Sequence, residues 1–154
     1  MTTDAQDHTT ILLAEDNNDD VFFIQRAFEK ARVANPLRRV RNGEEAIEYL
    51  QGNGIYSDRE QYPYPCFLLL DLKMPKVDGF EVLEWIQTHP EHKDLPIVVL
   101  TSEKEDPLVR KAYDLGATAL FKKTPNFEDM VKLVEGLHSY WLITNVPPQL
   151  LVEA

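Results

Sequence analysis

The sequence predicts an α/β fold: a doubly wound parallel sheet of five strands with helices on both faces. Two observations carry this. Short apolar runs alternate with helical hydrophobic patterns five times along the 154 residues, which is the signature of repeated βαβ units. The runs are also mostly continuous rather than alternating, as strands covered on both sides should be.

Each element follows in order. Residues 1–9 read as a loose polar tail, and Ile11–Ala14 as the first strand, ending on Glu15-Asp16. Asn17 through Asp20 offer turn and N-cap chemistry. From Val21 the period becomes helical, with Ile24, Phe28 and Ala31 in step and Ala27 beside them, and Asn35-Pro36 stops the helix. Leu37–Val40 is a strand whose two arginines place it at an edge. After Gly43, residues Ala46, Ile47 and Leu50 mark a short amphipathic helix. The stretch QGNGIYSDREQYPYP, residues 51–65, has no period and reads as a long loop. Phe67–Leu70 is the third strand; Phe80, Val82, Leu83 and Ile86 lie on a helix ending near His89-Pro90. Ile97–Leu100 is the fourth strand, ending on Thr101-Ser102. Pro107 opens a helix closed by Gly116. Ala117–Phe121 is the fifth strand, ending on Lys122-Lys123, and Phe127, Met130, Val131, Val134 and Leu137 mark the last helix. The tail WLITNVPPQLLVEA is apolar and interrupted by proline.

The bulk numbers set limits. A chain of 154 residues reads as one domain. Its 44% hydrophobic and 27% charged residues are ordinary for a globular protein. A net charge of −10 argues against nucleic acid or acidic lipid as a partner. The single cysteine, Cys66, excludes an internal disulfide or a cysteine metal cluster and reads as a small buried hydrophobe. No run approaches the ~20 apolar residues of a membrane span, and the acidic N-terminus is no signal peptide, so a cytoplasmic location is expected. His89, His92 and His138 share no ligand spacing and read as surface residues; Trp85 reads as partly buried. Trp141 reads equally as a dimer anchor or a lid on its own core.

The polar residues fall where ligands bind in such sheets, at the carboxyl ends of the strands. Glu15 and Asp16 follow the first strand, Asp71 the third, Thr101 and Ser102 the fourth, and Lys123 the fifth; nothing comparable follows the second. Asp71 alone would be equally a structural residue. Together they make three carboxylates, a hydroxyl and an ammonium at one edge. Three clustered carboxylates call for a cation, and an oxygen-only set favours Mg²⁺, with Mn²⁺ as the alternative, over zinc. A carboxylate beside such a cation can attack phosphorus and form an acyl phosphate, with a lysine and a hydroxyl to neutralise and bind the phosphoryl oxygens. There is no Gly-rich phosphate loop, so a nucleotide donor is not expected.

The stretches ILLAEDN, LLLDLKMPKVDG, PIVVLTS and GATALFKK, in this order between about residues 10 and 140, resemble the receiver domain of two-component response regulators. The resemblance implies a flavodoxin-like (CheY-like) five-stranded parallel sheet of order 2-1-3-4-5. It implies that Asp71 accepts a phosphoryl group from a phosphohistidine on a sensor histidine kinase. Glu15, Asp16 and Asp71 would hold the metal with the backbone carbonyl of Lys73. Thr101 would be the switch hydroxyl with Ser102 beside it, and Lys123 would meet the phosphoryl group, with Lys122 solvated. Lys73 and Glu103 would flank an attacking water and set the phosphoryl lifetime. The loop at 51–65, HPEHKDLPIVVLTSE and HSYW resemble single-domain regulators paired with bacterial phytochromes. That group implies a phytochrome-type kinase and a homodimer, with the receiver over 10–141 and the extension at 142–154 as a possible dimer contact; packing of that tail on its own domain is the equal alternative.

Two departures stand out. Receivers often carry an aromatic residue three positions before the site lysine; here it is Leu120, and Phe121 should point to the opposite face. Receivers often have proline after that lysine; here Thr124 follows, where a cis bond would cost about 3–4 kcal/mol. Phosphorylation chemistry is expected to survive and the output motion to differ. About a dozen residues after the last helix are too few for a DNA-binding module, so the expected output is protein contact or onward transfer to a phosphotransfer protein. One competing reading is a non-phosphorylated interaction module on the same fold. Another is a haloacid-dehalogenase-like phosphatase, which would want an aspartate where Lys73 stands.

Overall fold

The computed structural model describes residues 10–102 and 106–139. Its strands are β1 (Ile11–Ala14), β2 (Leu37–Val40), β3 (Phe67–Leu70), β4 (Ile97–Thr101) and β5 (Ala119–Lys122). Its helices are α1 (Asn18–Lys30), α2 (Gly43–Gln51), α3 (Gly79–Gln87), α4 (Asp106–Asp114) and α5 (Phe127–Leu137), with single 3₁₀ turns at Gly54–Ser57 and Pro90–His92. All strand pairs are parallel, in the order β2-β1-β3-β4-β5, so β2, with its two arginines, lies at an edge as expected.

Alternation along each strand sorts the apolar runs into two cores. Leu12, Ala14, Leu68, Leu70, Ile97, Val99 and Leu120 face one side, against Ala46, Tyr49 and Leu50 of α2, Val82, Leu83 and Ile86 of α3 and Ala112 of α4. Ile11, Leu13, Phe67, Leu69, Val98 and Leu100 face the other, against Val21, Ile24, Ala27 and Phe28 of α1 and Met130, Val131, Val134 and Leu137 of α5. A continuous apolar strand is thus two half-cores read alternately.

Polar side chains start the helices. Asn17, Asn42 and Asn126 each accept the N–H three residues on, at 2.9, 2.8 and 3.0 Å. Asp78 and Glu81 form a reciprocal capping box on α3. These caps satisfy N–H groups that have no partner within the helix.

Several expectations need correction. The first helix stops at Lys30, before Asn35-Pro36: Arg32 turns to φ +60° and the Val33 N–H donates to the Phe28 carbonyl, closing the end locally. The fifth strand begins at Ala119, not Ala117, because the Thr118 N–H and hydroxyl are both engaged with Ile97 of β4. His92 is buried, not on the surface, with its ring between Tyr64 and Trp85. Cys66 is only half-buried, although it packs on the α1–α5 core. Trp85 is half-buried as expected, and His89 stacks on it with ring centres 4.0 Å apart.

The loop at 51–65 is organised by contacts rather than by period. Tyr49, Tyr56 and Tyr62 pack ring on ring. The guanidinium of Arg59 donates to the Leu50 and Tyr62 carbonyls and lies over the Tyr49 and Tyr64 rings. Tyr140, Trp141 and the 142–154 extension lie outside the described residues, as do residues 1–9 and Glu103.

Candidate functional site

The strand ladder carries the site residues into place. Just past the strands, the Glu15 N–H donates to the Val40 carbonyl at 3.1 Å and the Asp71 N–H to the Ala14 carbonyl at 3.1 Å. The Lys123 N–H donates to the Thr101 carbonyl at 2.7 Å. Each residue is held in register by the strand beside it, at the point where β1 passes the chain to β2 on one side and β3 on the other.

Four of the expected residues come together. Carboxylate oxygens of Glu15, Asp16 and Asp71 lie within 4.8 Å of one another. Lys123 Nζ donates to Glu15 Oε1 at 2.7 Å and to Asp71 Oδ2 at 3.2 Å. Glu15 and Asp71 are buried and Asp16 is exposed. Thr101 is buried at the end of β4 and, with Asp16, Lys73, Met74, Phe80 and Leu108, lines a cleft of about 620 Å³ beside the cluster. The Lys73 N–H donates to Asp71 Oδ1 at 3.2 Å, while its side chain points to solvent. Ser102 is exposed and does not line the cleft; Lys122 is exposed, as expected.

Two residues escaped the sequence reading. Asp20, in the first turn of α1, accepts a hydrogen bond from Lys123 Nζ at 2.9 Å. Its place in the sequence points only to turn and cap chemistry. Its signal is its place in the first turn of the helix that begins at the site edge. Arg39, near the end of β2, donates from Nε to the Glu15 carbonyl at 2.8 Å and from Nη2 to the Asp16 carbonyl at 3.1 Å. The second strand does therefore contribute to the site, through the backbone that carries the acidic pair.

The electrostatics follow from burial. Desolvation pushes the Glu15 carboxyl up to about 7; the Asp71 charge adds to the rise and the Lys123 hydrogen bond opposes it. Burial alone would lower the Lys123 ammonium, but its bonds to Glu15 and Asp20 and the charge of Asp71 hold it above its ordinary range. Lys123 is therefore fully charged. One ammonium faces four carboxylates, and two of those are buried, so the cluster retains the negative charge and the oxygen donors that suit a hard divalent cation.

The two departures have structural counterparts. Leu120 lies in the α2–α3–α4 core and Phe121 packs on the opposite one, so the strand divides them as expected. The Tyr113 hydroxyl of α4 accepts the Leu120 N–H at 3.1 Å. No described peptide bond is cis, so Lys123-Thr124 is trans.

A model of the response regulator receiver domain matches residues 11–135. The response regulator Rcp1 of Synechocystis is 35% identical over 96% of this chain and 99% of its own length. The Mn²⁺-bound form of Rcp1 superposes with a TM-score of 0.78, covering 91% of this chain and 99% of that one at 36% identity. The phosphorylated cyanobacterial phytochrome response regulator RcpA superposes with a TM-score of 0.81, at 35% identity over 92% of this chain and 99% of that one. A probable methanogenesis regulatory protein, FilR2 of Methanothrix harundinacea, is 37% identical over 94% of this chain and 91% of its own.

Proposed function

Because the chain belongs to the response regulator receiver domain family, we propose that Asp71 accepts a phosphoryl group from a sensor histidine kinase of phytochrome type and that the protein signals in that state. The observation that carries this is the placement of Asp71: buried, one oxygen on the Lys123 ammonium, the other on the Lys73 N–H, with two further carboxylates beside it.

The transfer needs no acid–base residue of this chain: an Asp71 oxygen attacks phosphorus, the new O–P bond forms as the N–P bond of a phosphohistidine protonated on its other ring nitrogen breaks, and the ring leaves with the electron pair as neutral imidazole. Lys123 loses its contact with the Asp71 carboxylate and meets a phosphoryl oxygen instead, while Thr101 offers its hydroxyl to another. Glu15, Asp16, Asp71 and the Lys73 carbonyl would hold Mg²⁺, or Mn²⁺, whose charge offsets that of the phosphoryl oxygens. Ser102, which stands outside the cleft, would add a second hydroxyl only by turning toward it, and Lys73 and Glu103 tune the loss of the group to water. The expected partners are the kinase, a second copy of the chain and a phosphotransfer protein, in the cytoplasm. No described helix is long and apolar enough to cross a membrane.

The test is intact mass after acetyl phosphate treatment, with and without Mg²⁺, for the wild type and Asp71→Asn, each also run on a sizing column. One added phosphoryl group, lost in Asp71→Asn and without Mg²⁺, is expected, with a change in size if the second copy is recruited on phosphorylation. No added mass would favour the interaction-module reading; catalytic turnover of a phosphate ester would favour the phosphatase. Faster transfer from a phytochrome-type kinase than from an unrelated kinase is expected, and equal rates would remove the phytochrome pairing.

A further inference from the structure

Lys123 has three N–H donors, and three carboxylates receive them: Glu15 at 2.7 Å, Asp20 at 2.9 Å and Asp71 at 3.2 Å. Two of these, Glu15 and Asp71, belong with Asp16 to the set of oxygens clustered closely enough to share a cation. Asp20 alone among the three stands outside that set. An ammonium and a divalent cation thus call on the same two carboxylates, and they repel each other. Asp20 is the partner that the ammonium retains when the other two are drawn to a cation. It is also well fixed: its N–H is bonded to Asn17 Oδ1 at 2.9 Å, one turn into α1.

We propose that Asp20 is a positioning residue that berths the Lys123 ammonium beside Asp71, leaving Glu15 and Asp71 available to the metal. This rests on the receiver reading above. With Asp20 gone, Lys123 competes harder for Glu15 and Asp71, and the metal binds less well. A structural role in the first turn of α1 would leave the metal alone. General loss of negative charge would act equally through any nearby carboxylate, and Asp19, next along and exposed, supplies that comparison.

The experiment is calorimetric titration of the full chain with MgCl₂ at fixed pH and ionic strength. It uses the wild type, Asp20→Asn, Asp19→Asn, Lys123→Met and the Asp20→Asn/Lys123→Met double variant, with circular dichroism to check folding. Asp20→Asn should weaken Mg²⁺ binding about fivefold, the scale of one partly exposed ion pair, and Asp19→Asn by less than about twofold. Lys123→Met should tighten it, and in that background Asp20→Asn should cost no more than Asp19→Asn does. Equal effects of Asp20→Asn and Asp19→Asn, or a full Asp20 effect that persists without Lys123, would overturn the proposal. A wild type that binds no Mg²⁺ would instead overturn the receiver reading itself.

Discussion

Lys123 is the residue on which the acidic cluster depends before any metal arrives. Its ammonium bonds the carboxylates of both Glu15 and Asp71, and both are buried. Lys123→Ala leaves them facing each other, and buried charges stripped of a partner are costly. The site is partly solvated, so a loss of about 2 kcal/mol is expected rather than the full buried-pair penalty. Saturating Mg²⁺ should recover most of it. Thermal unfolding of wild type and variant with and without Mg²⁺ checks this; a deficit unaffected by Mg²⁺ would mean that Lys123 stabilises the fold by packing. Tyr49 shows the same logic without charge. Its ring is 1% exposed and its hydroxyl donates to the Pro63 carbonyl at 2.8 Å. Tyr49→Phe should cost about 1 kcal/mol in denaturant unfolding. At this scale the sequence was a fair guide: Glu15, Asp16, Asp71, Thr101 and Lys123 were all legible from their positions at strand ends. Asp20 and Arg39 were harder to read, because neither stands at a strand end: Asp20 had only its place in the first turn of α1 as a signal, and Arg39 reaches the site from within an edge strand.

Elements are joined at the site by close backbone approach. Gly79 opens α3, and a Cβ there would stand 2.5 Å from the Asp71 carbonyl oxygen and 2.7 Å from the Leu72 Cα. Backbone cannot give way as a flexible side chain can, so Gly79→Ala should push α3 off the end of β3. A loss of about 1–3 kcal/mol follows from overpacking, with phosphorylation of Asp71 slowed as well; normal rates would show that the loop absorbs the shift. The loop at 51–65 announced nothing, because aromatic contacts between α2, the loop and α3 carry no period. There His92 is the titratable group: the Tyr64 hydroxyl meets its Nδ1 at 2.6 Å, Trp85 lies against its ring, and Glu91, His89 and Arg59 supply the nearby charges. Burial lowers its pKa, helped by His89 and Arg59 and opposed by Glu91. The unfolded chain then holds the His92 proton more tightly, so this contribution is present above about pH 6.5 and is lost as pH falls below it. Glu15 works in the opposite sense, since a raised carboxyl favours the folded state as pH falls through about 7. The comparison must therefore be between wild type and His92→Phe, at pH 7.5 and 5.5. The wild type should lose more stability than the variant on acidification, and equal losses would place the proton elsewhere.

Across the whole molecule, the parallel sheet covered on both faces was legible from continuous apolar runs alternating with helical patterns, its order followed from the family resemblance, and the division of each strand between two cores became visible only in the structure. The same layering fixes how a signal can leave the site. Phe121 belongs to the α1–α5 core and Leu120 to the opposite one, beside α4. Bringing Phe121 round to Thr101 would require β5 to slip by one residue, which moves every side chain on that strand to the wrong face. The Leu120 N–H is also held by the Tyr113 hydroxyl of α4. With that register kept, no aromatic of β5 exchanges with the Thr101 hydroxyl, and the expected readout of phosphorylation is a movement of α4 on β5. Structures with and without a beryllofluoride phosphoryl mimic should show Phe121 in the same core in both, Leu120 in place, and displacement concentrated at the α4 side of the cleft. Tyr113→Phe, which removes the tether without removing the ring, should leave Asp71 phosphorylation unchanged and alter that displacement. An aromatic ring swung inward beside Thr101 in the beryllofluoride complex would defeat this account, because the register that forbids it would have proved soft.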